Sequence, residues 1–121
     1  MNLQMIFRVN GVILFINGLN FLLNTKMFLG MAGFDMTPQL LTMAQAMGVS
    51  IISIGLLSWR TPDIAGEAMS SYGHLYAIIG VLWVLLIGYH FATGQASGPP
   101  VYGNLAINAV LATLFFMYSK K

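Results

Sequence analysis

"RVNGVILFINGLNFLLN", residues 8–24, is apolar enough to cross a membrane, yet asparagine occupies Asn10, Asn17, Asn20 and Asn24. Two of these open a repeated Asn-Gly, at Asn10-Gly11 and Asn17-Gly18. On a helix advancing about 100° per residue, all four amides fall within one arc of about 80°. Amides turned toward hydrocarbon would leave their donors and acceptors unpaired, so this arc is expected to face protein or trapped water. The stretch therefore predicts a membrane helix that needs polar partners, and hence a bundle around it.

The rest of the chain fits that expectation. Its 121 residues are 58% hydrophobic and 7% charged, with a mean hydropathy of +0.80. A soluble domain carries about 25% charged residues. Five basic and three acidic side chains cannot cover a water-facing surface of this size, so lipid is expected around most of the chain. The net charge of +2 comes from scattered bases with no basic stripe, which argues against a nucleic-acid partner. Cysteine is absent, excluding disulfides, thiolate metal sites and cysteine nucleophiles. Arg8 before the first apolar run and the small-x-small Gly30-Met31-Ala32 resemble a secretory signal. The asparagines weaken that run, and it is read as a retained helix.

Four apolar stretches, about 6–23, 40–59, 72–91 and 102–118, are each long enough to span a hydrocarbon core of roughly 30 Å. They are continuous rather than alternating, which disfavours a β-barrel. The expected fold is all-α, a single integral-membrane domain forming an up-down four-helix bundle. Thr37-Pro38 and Thr61-Pro62 each place a capping hydroxyl before a proline. The second is expected to open a short cytoplasmic helix at about 62–69, and Ser70 or Ser71 to cap the third span. With four spans, Arg8, Arg60, Lys120 and Lys121 collect on one side and Lys26 on the other. The positive-inside rule then places both termini in the cytoplasm.

Depth along the spans gathers polar residues in the outer half: Asn17, Asn20, Asn24, Gln45, His90, Asn104 and Asn108. Asn104 and Asn108 lie one turn apart on one face, while Asn10, Ser53 and Ser58 fall in the inner half. Two uses remain open. The amides either act as interhelical glue, contributing about 0.6 kcal/mol per contact on average, or line a small hydrated pocket for a ligand. Small residues point to helix packing: Gly73, Ala77, Gly80 and Gly88 share a face of the third span, and Ala44, Gly48 and Gly55 one of the second. Nine methionines fit a soft interior.

No enzyme is expected. His74 and His90 are sixteen residues apart, about 24 Å along one helix, and cannot share one iron. Asp35, Asp63 and Glu67 all fall in loops, so no carboxylate lies within a span to ligate a metal pair or relay protons. No metal or other cofactor is expected.

The Asn-Gly in the first span, "MFLGMAGF" after it and "GLLSWR" ending the second resemble the DoxX-like small four-helix bacterial inner-membrane proteins. That resemblance covers the first half of the chain and implies a bacterial inner-membrane location. The function expected is that of a non-enzymatic accessory or structural subunit, packing against lipids and against other membrane subunits or itself. The alternative is a binder or carrier of a small polar or amphipathic molecule, such as a quinone or a lipid headgroup, at the outer amide cluster.

Overall fold

The structure, a computed structural model, describes residues 2–119; Lys120 and Lys121, counted above among the cations, lie outside them. The described chain is helical: α1 Leu3–Leu23, α2 Thr25–Met31, α3 Pro38–Ile64, a 3-10 turn Gly66–Ala68, α4 Met69–Ala92 and α5 Pro99–Tyr118. Four of its helical segments are long and apolar enough to cross a membrane. The protein is an all-α membrane bundle.

The helices associate as two antiparallel pairs, α1 with α3 and α4 with α5, and the pairs touch each other far less. Glycine explains the first pair. A Cβ on Gly11 would lie 2.9 Å from the Gly55 carbonyl oxygen, and one on Gly55 would lie 3.0 Å from that of Gly11. One level further along, a Cβ on Gly18 would lie 2.7 Å from the Gly48 oxygen, and one on Gly48 2.8 Å from the Gly18 oxygen. Both helices thus carry glycine at a spacing of seven, and the two backbones meet directly. Between lipid-bathed helices, where hydrophobic burial drives little, such close approach gives the dispersion contact that holds them. In the second pair, Gly80 lies against Ala112 and Gly73 against the Ser119 side chain, again seven residues apart. Ala77 is buried between them. Gly88 departs from its expected packing role, because a Cβ there meets nothing within 4 Å.

Three local details differ from the sequence expectation. The 24–38 connection contains a helix, α2, because the chain bends at Asn24 and resumes its ladder, with Phe28 N donating to Asn24 O at 2.9 Å. Phe28 then packs its ring on Phe21, and Leu29 is buried. Secondly, Thr61-Pro62 opens no new helix. Pro62 falls in the last turn of α3 and withholds the donor that Ser58 O would take there, but the ladder resumes beyond it, with Ala65 N reaching Thr61 O at 2.9 Å. Only the 3-10 turn Gly66–Ala68 remains of the short helix expected at 62–69. Thirdly, α4 begins at Met69 without a side-chain cap, so Ser70 and Ser71 lie inside its first turn. The other Thr-Pro behaves as expected: Thr37 Oγ1 accepts from Leu40 N at 3.1 Å and Pro38 begins α3.

The end of the bundle that gathers the start of α1 and the end of α3 is tied by ions. Arg8 reaches Asp63 at 2.8 Å and its guanidinium lies 4.6 Å from the Trp59 ring centre, while Arg60 lies 3.4 Å from Asp63. Deeper at that end, Leu3, Ile6, Phe7, Ala77, Leu111 and Phe115 form a buried cluster. The opposite end is covered by α2 and the α4–α5 turn. Ser97 N donates to Ala32 O at 3.0 Å, and Ala32, Ala96 and Val101 are buried there with Ile87 against them. Gly98 makes this seal possible. It has φ +95°, and a Cβ would strike the Met31 carbonyl oxygen.

Candidate functional site

Between the two helix pairs lies a cavity of about 300 Å³. The stripe Asn10, Leu14, Asn17 and Phe21 on α1 forms one wall, spaced as one helix face requires. On the same helix Gly11 and Gly18 point about 80° away, into the α3 seam. Each Asn-Gly therefore splits its duties: glycine admits the neighbouring backbone, and asparagine turns to the cavity. The repeat at a spacing of seven keeps both faces in register over two turns.

Asn104, Asn108, Leu111 and Phe115 supply the facing wall from α5, and Tyr76, Trp83, Ile87 and His90 supply another from α4. At one end, the Phe7, Tyr76 and Phe115 rings close the space, with centroids 4.9 to 5.4 Å apart. Phe28, Leu29, Ala32 and Ala96 line the other end.

The amides are anchored but not exhausted. Asn17 Nδ2 donates to Asn104 Oδ1 at 2.6 Å, bridging the two helix pairs. Asn104 Nδ2 donates to Pro100 O, and Asn108 Nδ2 to Asn104 O, each at 2.8 Å. No donor among the described residues reaches Asn17 Oδ1 or Asn108 Oδ1. These acceptors border an otherwise apolar space, where an unmet amide oxygen costs about 1–3 kcal/mol. Asn10 is satisfied differently. Its Nδ2 donates to Ser58 Oγ at 3.0 Å, and the buried Ser58 hydroxyl in turn donates to Phe7 O at 2.8 Å.

The cavity thus brings together Asn17, His90, Asn104 and Asn108 from the expected outer cluster. It leaves out Asn20, Asn24 and Gln45. Asn20 sits about 60° around α1 from Asn17, beyond the edge of the cavity stripe. Its Oδ1 accepts from Asn24 Nδ2 at 3.3 Å, so no bond links Asn20 to Asn108 or Gln45. Asn24 and Gln45 line a separate shallow hollow with Thr25 and Lys26 at the α2 end. Asn10 joins the cavity wall although its depth assigned it elsewhere. Sequence reasoning missed Trp83 and Tyr76, whose spacing of seven with Gly80 between them marks the inward face of α4. His74 lies outside the cavity, exposed, with its ring 6.2 Å from that of Phe116.

No protein family, curated protein or solved structure matches the chain.

Proposed function

We propose that this chain is a non-enzymatic membrane-embedded binding protein that holds a small, mostly apolar molecule with one neutral polar end. One observation carries this reading: the roughly 300 Å³ cavity between the helix pairs, apolar on most of its wall, gathers Asn10, Asn17, Asn104 and Asn108 on it. A pocket of this kind, apolar with a few convergent polar groups, is the usual form of a small-molecule site. The Asn17–Asn104 bond joins the helix pairs, yet Asn17 Oδ1 and Asn108 Oδ1 are left without a donor from the described residues beside the cavity. A quinone ring or a neutral lipid headgroup has suitable chemistry. The accessory-subunit alternative gains no observation of its own, because the exposed apolar outer faces suit lipid equally well.

The test is native mass spectrometry of the full chain released from mild detergent. Wild-type protein should carry a small-molecule adduct that folded Asn17→Leu and Asn108→Leu variants have lost. An adduct-free wild type, in detergent and in nanodiscs alike, sinks the proposal.

Placement in a bacterial inner membrane with both termini cytoplasmic belongs to the same proposal. It is supported by the cation count and by the DoxX-like resemblance. Single cysteines at Gln95 and Ser97 should label with an impermeant thiol reagent in outer-permeabilised cells, and one at Glu67 only after lysis. The reverse pattern inverts the protein.

A further inference from the structure

We infer that the cavity fills sideways, through a window between α3 and α4, and that its occupant is a single-chain lipid with a neutral, hydroxyl-bearing head. This rests on the binding function proposed above and adds the ligand's class and its route.

The route follows from which lining residues reach the surface. Every lining residue on α1 and α5 is buried or half-buried. The exposed ones are Phe34 just before α3, Met47 on α3, and Ile79 and Leu86 on α4. Helices α3 and α4 also scarcely touch, although they are consecutive long helices. Both ends of the cavity are meanwhile closed, one by Phe7 and Phe115, which are 0% and 1% exposed, the other by Ala32, Ala96 and Val101. The opening therefore runs along the α3–α4 side from Phe34 near the α2 end to Ile79 at mid-depth, where hydrocarbon lies. Its jambs, Met47 and Ile54 opposite Ile79 and Leu86, are all apolar.

The class follows from size and charge. A volume of about 300 Å³ lies at the lower end of the range of small-molecule pockets, roughly 300–1,000 Å³. That accommodates a head and the first part of a chain, and the remainder can trail through the window into the bilayer. No Lys, Arg, Asp or Glu lines the cavity, so apart from the His90 imidazole a phosphate or carboxylate head would be buried with no charged partner. What the site offers is open acceptors at Asn17 Oδ1 and Asn108 Oδ1, with second amide hydrogens beside them. A hydroxyl both donates and accepts, and so satisfies them.

The test uses a long-chain alcohol with a diazirine in its chain, added to phosphatidylcholine vesicles holding the full protein. Irradiation should label Met47, Ile54, Ile79 or Leu86, and an unlabelled long-chain alcohol should compete where the matching alkane and fatty acid do not. Ile79→Trp with Leu86→Trp, and separately Met47→Trp, alter exposed jambs and should slow labelling by about tenfold, whereas Asn17→Leu should weaken it at equilibrium by about tenfold. Labelling at residues 96–101 that the tryptophans leave unchanged would overturn the window while leaving the binding function standing. Equal competition by the fatty acid or the alkane would overturn the neutral hydroxyl head. No saturable labelling of the wild type by any of these lipids, together with an adduct-free native mass spectrum, would remove the binding function itself and this inference with it.

Discussion

The seam between α1 and α3 and the gap between the two helix pairs are built from the same heptads, and they differ in almost every physical respect. In the seam, glycine faces glycine and backbone meets backbone. One residue earlier in each repeat, Asn10 and Asn17 border open space, Asn17 also bonding Asn104 on α5 and Asn10 reaching back to Ser58 on α3. A membrane helix gains little by burying apolar surface against another helix rather than against lipid, so firmness comes from proximity. Where small residues allow proximity, the pair is close-packed. Where Phe, Trp, Tyr and Asn prevent it, the same bundle holds a cavity.

The largest expected effect lies in the seam. Gly18→Leu places atoms where the Gly48 carbonyl already sits, 2.7 Å from the first carbon added. The helices must part, at a cost of about 3 kcal/mol or more. Gly88→Leu, with nothing within 4 Å of its first added carbon, should be neutral or stabilising, since glycine is a poor helix former. Thermal unfolding in detergent checks both. Comparable losses at the two positions would break the distinction between a packed seam and an open face.

Next come the buried hydrogen bonds at the seam's inner edge. Ser58→Ala removes the partner of Asn10 Nδ2 and should cost about 1–3 kcal/mol. Asn10→Leu made in that background should cost less than it does alone, because its partner is already gone. Strict additivity would show that the two side chains do not act together.

The gap should lose less stability and more binding. Asn17→Leu breaks the 2.6 Å bond to Asn104, but water or a ligand can reach the orphaned amide, so stability should fall by only about 0.6 kcal/mol. Ligand binding should suffer instead. A loss of stability as large as that of Ser58→Ala, with binding intact, would make these amides glue.

Much of this division is legible in the sequence, though not all of it. Composition and four unbroken apolar stretches are enough for the membrane bundle, because eight charged side chains leave no other solvent for the surface. Asn104 and Asn108 are expected on one face and share one. The packing faces of α3 and α4 are also visible, but not their partners. Gly11 and Gly18 were there to be matched with Gly48 and Gly55 by their common spacing of seven. Helix angle alone could not separate Asn17 from Asn20, since the cavity's width depends on neighbours that no single helix specifies. Nor could depth predict that Asn24 would turn away at the α1–α2 bend. One of the two Thr-Pro caps failed for a related reason: Thr61-Pro62 has the residues of a helix start, but the continuing ladder through Ala65 decides otherwise.

Only a small effect is expected where the polar contacts are most conspicuous, at the Arg8, Asp63 and Trp59 cluster. The Arg8 and Asp63 side chains are 24% and 44% exposed, so water and salt screen their attraction. Asp63→Asn removes this ion pair and the longer contact to Arg60, yet leaves Arg8 over the Trp59 ring, where a cation–π contact of about 0.5–1 kcal/mol persists. The loss should be no more than about 1 kcal/mol and should shrink further as ionic strength rises. Glycine and asparagine, uncharged and inside the span, should show no such salt dependence. Unfolding of Asp63→Asn and Gly18→Ala at low and high salt makes the comparison directly. If the charge variant loses more than the glycine variant, and salt leaves that loss unchanged, the α1–α3 pair is held from its wet end and the glycine seam merely follows.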